Sequence, residues 1–254
     1  VLAARADGIY LFRSDGSDKR RVITAQGARS PRWLPGSSSF VFSIGLQHAY
    51  KSDLDGKVTP LLQNPEIFSA ELWAHPTRDG QWVYFGGYDL ADFRGQPYRV
   101  RADGSQLTLA PGFTSDNFTQ GHPSASPDGK LLAYFREEFS SRNVLIRVLD
   151  MENETLLVAG VPGHGPEWSY GDSIGYVDMQ GGVSGPIRLM SSRGNGRRQV
   201  GSGTAYDFGF DWSADDKWII ANDLTSGRLE IIEVRTGVRL PLSYSTGFFN
   251  PSWK

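Results

Sequence analysis

The chain has 254 residues, a formal charge of −2 at pH 7 and no cysteine. The lack of cysteine excludes disulfides and thiolate metal sites, and the near-neutral charge argues against a nucleic-acid partner. No apolar run reaches the ~18 residues of a transmembrane helix, and 30 glycines with 14 prolines favour turn-rich β structure.

The first 24 residues predict three short strands. Apolar runs at residues 1–4 and 9–12, and the β-branched pair that ends residues 21–23, are typical of short β-strands. Residues 14–17, Ser-Asp-Gly-Ser, separate the second segment from the third, and Asp-Gly favours the positive φ angles of a hairpin turn. We interpret this stretch as the second, third and fourth strands of a sheet whose first strand comes from elsewhere.

A repeating unit follows. Its marker is a position that is usually tryptophan and that in most units lies two residues after a proline. Successive markers are 42, 50, 43, 44 and 41 residues apart. The markers are Trp33, His75, Ala125, Trp168, Trp212 and Trp253. A period of about 44 residues with about four strands per unit is typical of β-propellers.

Each unit continues with the same series of elements. A tight turn such as Pro127-Asp128-Gly129 precedes an apolar strand such as residues 131–135. A variable loop, a third strand, a hairpin turn with Asp-Gly or Asn-Gly and a short fourth strand complete the unit. No amphipathic helical pattern interrupts this series.

The two ends of the chain predict how the ring closes. Residues 249–254 supply a first strand, and residues 1–24 supply the rest of that unit. We therefore predict one all-β domain, a closed six-bladed propeller of four-stranded antiparallel blades. The predicted blades lie near residues 28–64, 67–113, 118–161, 163–203, 206–245, and 247–254 with 1–24.

The repeat resembles the Pro-x-Trp-Ser-Pro-Asp-Gly unit of TolB-like six-bladed propellers. Residues 123–135, 14–24 and 210–221 carry the resemblance most clearly. It implies a propeller domain of the kind found in periplasmic envelope proteins that bind partner proteins, in sensor domains and in gating propellers of peptidases. It therefore implies a protein or peptide partner and an extracytoplasmic location. A signal sequence is not recognisable in the first residues.

Candidate binding residues lie in the loops and inner strands that meet at one mouth of the channel, because loops on a rigid scaffold often carry function. Aromatic residues suit a peptide or sugar, and carboxylates with imidazoles suit a divalent cation. The predicted set is Tyr88, Asp89, Asp92, Phe93, Arg94, His122, Glu137, Phe139, His164, Glu167 and Asp211. Each acid or histidine is also open to interpretation as a solvated loop charge or a hydrogen bond that fixes a blade.

The function predicted from these features is a non-catalytic, monomeric binding module for a protein or peptide. No Gly-x-Ser-x-Gly motif, cysteine nucleophile or phosphate loop is present, so we assign no catalytic residue and no cofactor. One alternative is a carbohydrate-binding or carbohydrate-active propeller that uses the acids at the mouth. Another is a sensory or structural domain of a longer protein.

Overall fold

The computed structural model describes residues 1–64, 67–89, 94–113, 119–138, 143–179, 184–203 and 205–254, with the backbone alone for Asp89, Thr119 and Glu138. This described part of the chain forms six four-stranded antiparallel sheets, which confirms the predicted six-bladed β-propeller. No helix with the length and hydropathy to cross a bilayer occurs in those ranges.

The blades are numbered I to VI along the chain, and each contributes its first strand to the channel wall. Blade I consists of β4 (Ala28–Trp33), β5 (Phe40–Ile44), β6 (Ala49–Ser52) and β7 (Val58–Pro60). Blade II consists of β8 (Ala70–Pro76), β9 (Trp82–Asp89), β10 (Arg94–Arg101) and β11 (Thr108–Leu109). Blade III consists of β12 (Thr119–Ala125), β13 (Leu131–Glu138), β14 (Asn143–Asp150) and β15 (Thr155–Pro162). Blade IV consists of β16 (His164–Trp168), β17 (Ser173–Val177), β18 (Ile187–Ser191) and β19 (Arg198–Gln199). Blade V consists of β20 (Asp211–Trp212), β21 (Trp218–Asp223), β22 (Arg228–Glu233) and β23 (Arg239–Pro241).

Blade VI joins the two ends of the chain. Its inner strand is β24 (Phe249–Ser252), followed outward by β1 (Leu2–Arg5), β2 (Gly8–Leu11) and β3 (Arg20–Ile23). Leu2 pairs with Ser252 and Ala4 with Phe249. The predicted sharing of the last blade between both ends is therefore confirmed, and this pairing closes the ring so that no sheet is left incomplete.

Every inner strand carries an equivalent five-residue segment, which we call the inner segment. The six inner segments are residues 29–33, 72–76, 121–125, 164–168, 208–212 and 249–253. Proline occupies the third position in blades I, III, IV and VI, and tryptophan occupies the fifth in blades I, IV, V and VI.

The register of blade II corrects one prediction. The amide of Thr77 donates to the carbonyl of Trp82 at 2.8 Å, and an equivalent bond follows the fifth position in blades I, III, IV and V. Pro76 therefore holds the fifth position and His75 the fourth, so the placement of His75 as the repeat marker is wrong by one residue. The third position of this blade is Ala74 rather than proline, and the Pro-x-Trp spacing could not align it.

The fifth-position tryptophans pack between neighbouring blades. Trp168 lies between blades III and IV and Trp212 between blades IV and V, each with 1% of its surface exposed. The indole Nε1 of Trp212 also donates to the carbonyl of Glu167 at 3.3 Å. Large rings at this position thus fill the wedge-shaped space between sheets.

Trp212→Ala should lower the free energy of unfolding by about 3–5 kcal/mol, because it leaves a cavity between two blades. The matched control is Tyr244→Ala, since Tyr244 is 87% exposed and its removal should change stability by less than about 0.5 kcal/mol. Denaturant unfolding of the two variants measures both values. Equal losses in the two variants would contradict this account of the inter-blade packing.

Candidate functional site

A bulge recurs at the second position of the inner segments. Five of these positions have a positive φ: Ser30 (50°), Trp73 (55°), His122 (50°), Gly165 (60°) and Asn250 (44°). The pairing of β4, β8, β12 and β16 with their neighbours shifts register at this point. Bulges re-aim side chains, and the four non-glycine side chains all line the upper part of the channel.

A ring of polar side chains occupies the fourth position. The ring consists of Arg32, His75, Ser124, Glu167, Asp211 and Ser252. Arg32 and Glu167 are only 6% and 1% exposed. Buried charges of this kind are stable only when they are paired and hydrogen-bonded.

Glu167 is the centre of the ring. His75 Nε2 donates to its Oε2 at 2.8 Å and lies 2.7 Å from Oε1. The Nη2 atom of Arg32 lies 3.5 Å from Oε2. Arg32 also donates to the carbonyls of Pro251 at 2.9 Å and Phe210 at 3.0 Å. This axial cluster, Arg32 with His75 and Glu167, therefore links blades I, II, IV, V and VI across the channel.

The axial cluster keeps Glu167 ionised. Burial alone would raise the pKa of Glu167, but His75 and Arg32 outweigh it and hold the pKa below its ordinary value. The carboxylate therefore stabilises the fold above the pH at which it titrates in the unfolded chain. That contribution is lost as the pH falls through the folded-state pKa.

Asp211 has a different set of partners in the same ring. Its Oδ1 accepts from the amide of Trp212 at 2.8 Å. Its Oδ2 accepts from the amide of Trp253 at 2.8 Å and from the hydroxyl of Ser252 at 3.0 Å. These bonds tie blade V to blade VI. Of the two interpretations open from the sequence, the structure favours the hydrogen bond that fixes a blade.

Two cavities lie on either side of the axial cluster. The upper cavity, at the N-terminal ends of the inner strands, measures about 290 Å³, and the lower cavity about 350 Å³. Arg32 and His75 line both cavities, so the cluster separates them. The channel is thus divided into two pockets at the level of the fourth position.

Aromatic rings and imidazoles form one wall of the upper mouth. His164 is stacked between Phe135 at 4.3 Å and Phe208 at 4.2 Å between ring centroids. The ring of Trp73 lies edge-on to His122 at 5.5 Å and to His164 at 5.8 Å. Trp73 and Phe208 remain half-buried and line the cavity.

Both histidines of this wall are uncharged. Burial lowers the pKa of His164 to about 3. Burial and the nearby His164 also hold the pKa of His122 well below its ordinary value. Within the described ranges, the Nδ1 atoms of both rings have no hydrogen-bond partner. The two imidazoles therefore behave as neutral aromatic rings in the wall.

The structure places the other predicted site residues differently. Tyr88 is buried, its hydroxyl donates to the carbonyl of Gln120 at 3.3 Å, and its ring fills the space that a side chain at Gly121 would need. Arg94 is exposed on β10, and Glu137 is half-buried on β13. Asp92, Phe93 and Phe139 lie outside the described residues, as does the side chain of Asp89.

Among the described residues of the predicted set, His122 alone lines the upper cavity. Five residues outside that set, Arg29, Trp73, His75, Asp207 and Phe208, also line it. Four of them hold the first, second or fourth position of an inner segment. Their position in the repeat, rather than a sequence motif, could therefore have identified them as cavity residues. Across the described residues, no group of three or more histidine, aspartate or glutamate side chains is placed to hold a metal ion.

Comparisons with known proteins identify the fold. No protein-family model and no curated protein matches the chain. A putative TolB from Agrobacterium tumefaciens superposes with a TM-score of 0.78 at 16% identity, over 97% of this chain and 92% of that one. TolB from Acinetobacter baumannii gives 0.76 at 16% identity, over 99% of this chain and 65% of that one.

A third solved structure is an enzyme. Oligogalacturonate lyase from Vibrio parahaemolyticus gives a TM-score of 0.62 at 10% identity, over 92% of this chain and 70% of that one. The predicted TolB-like propeller is confirmed at the level of the fold. Since enzymes share this fold, the likeness by itself does not determine the activity.

Glu167→Gln should lower the free energy of unfolding by about 3–5 kcal/mol at neutral pH, because Arg32 loses its buried counter-charge. The difference should shrink as the pH falls below about 4.5, the ordinary pKa of the carboxyl, and should be lost once the pH falls through the lower pKa of the folded state, where the wild-type side chain is also neutral. Denaturant unfolding of both proteins across this pH range measures the effect.

The exposed Glu152 offers a matched control. Glu152→Gln should leave stability within about 0.5 kcal/mol of the wild type. A loss in Glu167→Gln that stays constant down to acidic pH would show that the charge of Glu167 does not stabilise the axial cluster.

Proposed function

We propose that this chain is a binding module that takes a short peptide segment of a partner protein into the upper cavity. The observation that carries the proposal is the cavity itself. It is open at the mouth, has half-buried aromatic rings on its wall and ends at the axial cluster. Pockets of this kind, mostly apolar with a few fixed polar groups, are typical ligand sites.

The size of the cavity favours a short segment. Its volume of about 290 Å³ lies near the lower limit of roughly 300–1,000 Å³ for small-molecule sites. Such a space accommodates one or two side chains of a peptide. The axial cluster closes the cavity below, and separating its buried charges to admit a ligand that extends deeper would be costly.

Exposed apolar side chains surround this mouth. Leu46 is 55% exposed in the loop between β5 and β6 and also lines the cavity. Ile67 lies in the connector that leads to β8, and 55% of its surface is exposed. Leu224 lies in the loop between β21 and β22, and 47% of its surface is exposed. By topology, these loops lie on the side of the upper mouth. Apolar rims around a concave site suit a protein partner.

The carbohydrate-active alternative depends on the acids of the channel. Glu167 is engaged by His75 and Arg32. Asp211 accepts from blade VI with Oδ2 and from the amide of Trp212 with Oδ1, so both of its oxygens are also engaged. General acid–base cleavage of a glycosidic bond needs two carboxyl groups free to face the substrate. The engagement of both acids favours peptide binding over this alternative.

The proposal includes an extracytoplasmic location and a monomeric state. Likeness to the TolB fold supports the location. Fractionation of cells that express the native gene checks it, and the location fails if the protein is found with cytoplasmic markers.

Leu46→Arg should weaken peptide binding about tenfold or more, because a charge replaces an apolar contact at the mouth. The peptides are selected from a random 12-mer library on the immobilised wild-type chain and measured by calorimetry. Leu46 is exposed, so the variant should unfold at the wild-type temperature.

Two controls locate the site. Val58→Arg places the same charge on the exposed outer strand of blade I, and Tyr170→Ala alters the lower cavity. Both should bind the peptides as the wild type does. If no peptide is selected, or if Tyr170→Ala rather than Leu46→Arg loses affinity, the upper cavity is not the site.

A further inference from the structure

Among the described residues of the upper mouth, one guanidinium forms no ion pair. His122 and His164 are neutral because burial lowers their pKa values. Arg32 is paired with Glu167. The remaining positive group is the guanidinium of Arg29, at the first position of the inner segment of blade I.

Arg29 has no partner within the described chain. It forms no hydrogen bond or ion pair there, and its Nε atom is buried without an acceptor. Leaving such a donor unpaired costs free energy, and a guanidinium is a planar fork that matches a carboxylate. The side chain lines the cavity, so an occupant of the cavity is within its reach.

Asp207 is the candidate counter-charge in the same cavity, and it is held by other groups. Its Oδ1 accepts from the amide of Phe208 at 2.8 Å and its Oδ2 from the side-chain amide of Asn250 at 3.3 Å. Burial raises the pKa of Asp207, and attraction to Arg29 only partly opposes this. No ion pair joins the two side chains. The carboxyl also lines the cavity, which disfavours a doubly charged phosphate more than a singly charged carboxylate.

Apolar rings lie at the same level as Arg29. Phe249 in blade VI and Phe208 in blade V hold the equivalent first position, and both are half-buried at the mouth. The cavity thus offers a fork-shaped cation beside aromatic faces. This combination is complementary to an apolar residue that bears or adjoins a carboxylate.

We propose that Arg29 is a specificity residue that binds a carboxylate of the peptide segment, with an adjoining apolar side chain against Phe208 and Phe249. This inference rests on the proposed peptide-binding function. The carboxylate has two sources, the C-terminus of a chain or an acidic side chain, and both present the same chemistry to the guanidinium.

Three small probes separate these sources in NMR titrations of the full chain. N-acetyl-phenylalanine carries a terminal carboxylate, its amide carries none, and N-acetyl-phenylalanyl-glutamic acid amide carries one on the side chain alone. We expect at least one of the two carboxylate probes to bind about tenfold or more tightly than the neutral amide. Which of the two binds identifies the source.

Arg29→Gln should abolish this preference without changing the unfolding temperature, because the side chain of Arg29 makes no hydrogen bond or ion pair with the described part of the chain. Arg193→Gln removes an exposed arginine from the turn between β18 and β19 and should keep the preference. Arg29→Lys is a second variant that retains the positive charge, and it should keep part of the preference for the carboxylate probes. Added salt should weaken only the carboxylate probes.

Equal binding of all three probes to the wild type, or a preference that survives in Arg29→Gln, overturns the assignment of Arg29. So does the absence of any shift at about 10 mM, a concentration that would nearly saturate a site with a Kd of about 1 mM. Library peptides that still require an intact Leu46 would leave the proposed function standing after such a result. The two proposals therefore fail separately.

Discussion

Blades I, II and IV meet at the carboxylate of Glu167, which His75 and Arg32 contact at the centre of the channel. Arg32 extends the same layer to blades V and VI through two backbone carbonyls. Replacing a buried ion cluster by apolar side chains is often neutral or stabilising, so such a cluster is weak support for stability as such. We infer that its contribution is geometric: it fixes the inner strands at one level and divides the channel into two pockets.

That division sets the depth of the upper cavity. The bulges at the second position aim Trp73 and His122 into the cavity, and the first position adds Arg29 and Phe208. Neutral imidazoles extend the aromatic wall, so the polar character of the mouth comes from few groups. A rigid ring of sheets supports these side chains, and such a site is largely formed before a ligand arrives.

The sequence predicted the architecture well because the repeat is a matter of local chemistry. Tight turns, apolar runs and fifth-position tryptophans recur at a spacing typical of propeller blades, and the ends of the chain complete one another. The site was predicted poorly, because side chains from six blades converge there and no spacing along the chain encodes their contacts. Blade II shows the limit. Without a proline at position 74, the spacing placed His75 at the marker position, whereas its side chain belongs to the axial cluster. Tyr88 shows the converse, since an aromatic residue near a long loop is part of the core.

The central claim is that the upper cavity, closed below by the axial cluster, is where this propeller binds its partner. A crystal structure of the chain with its tightest library peptide tests that claim most directly. The account predicts peptide density between Trp73 and Phe208 that ends above Arg32 and His75. A peptide that passes through the channel, lies in the lower cavity or pairs with an outer strand would contradict it.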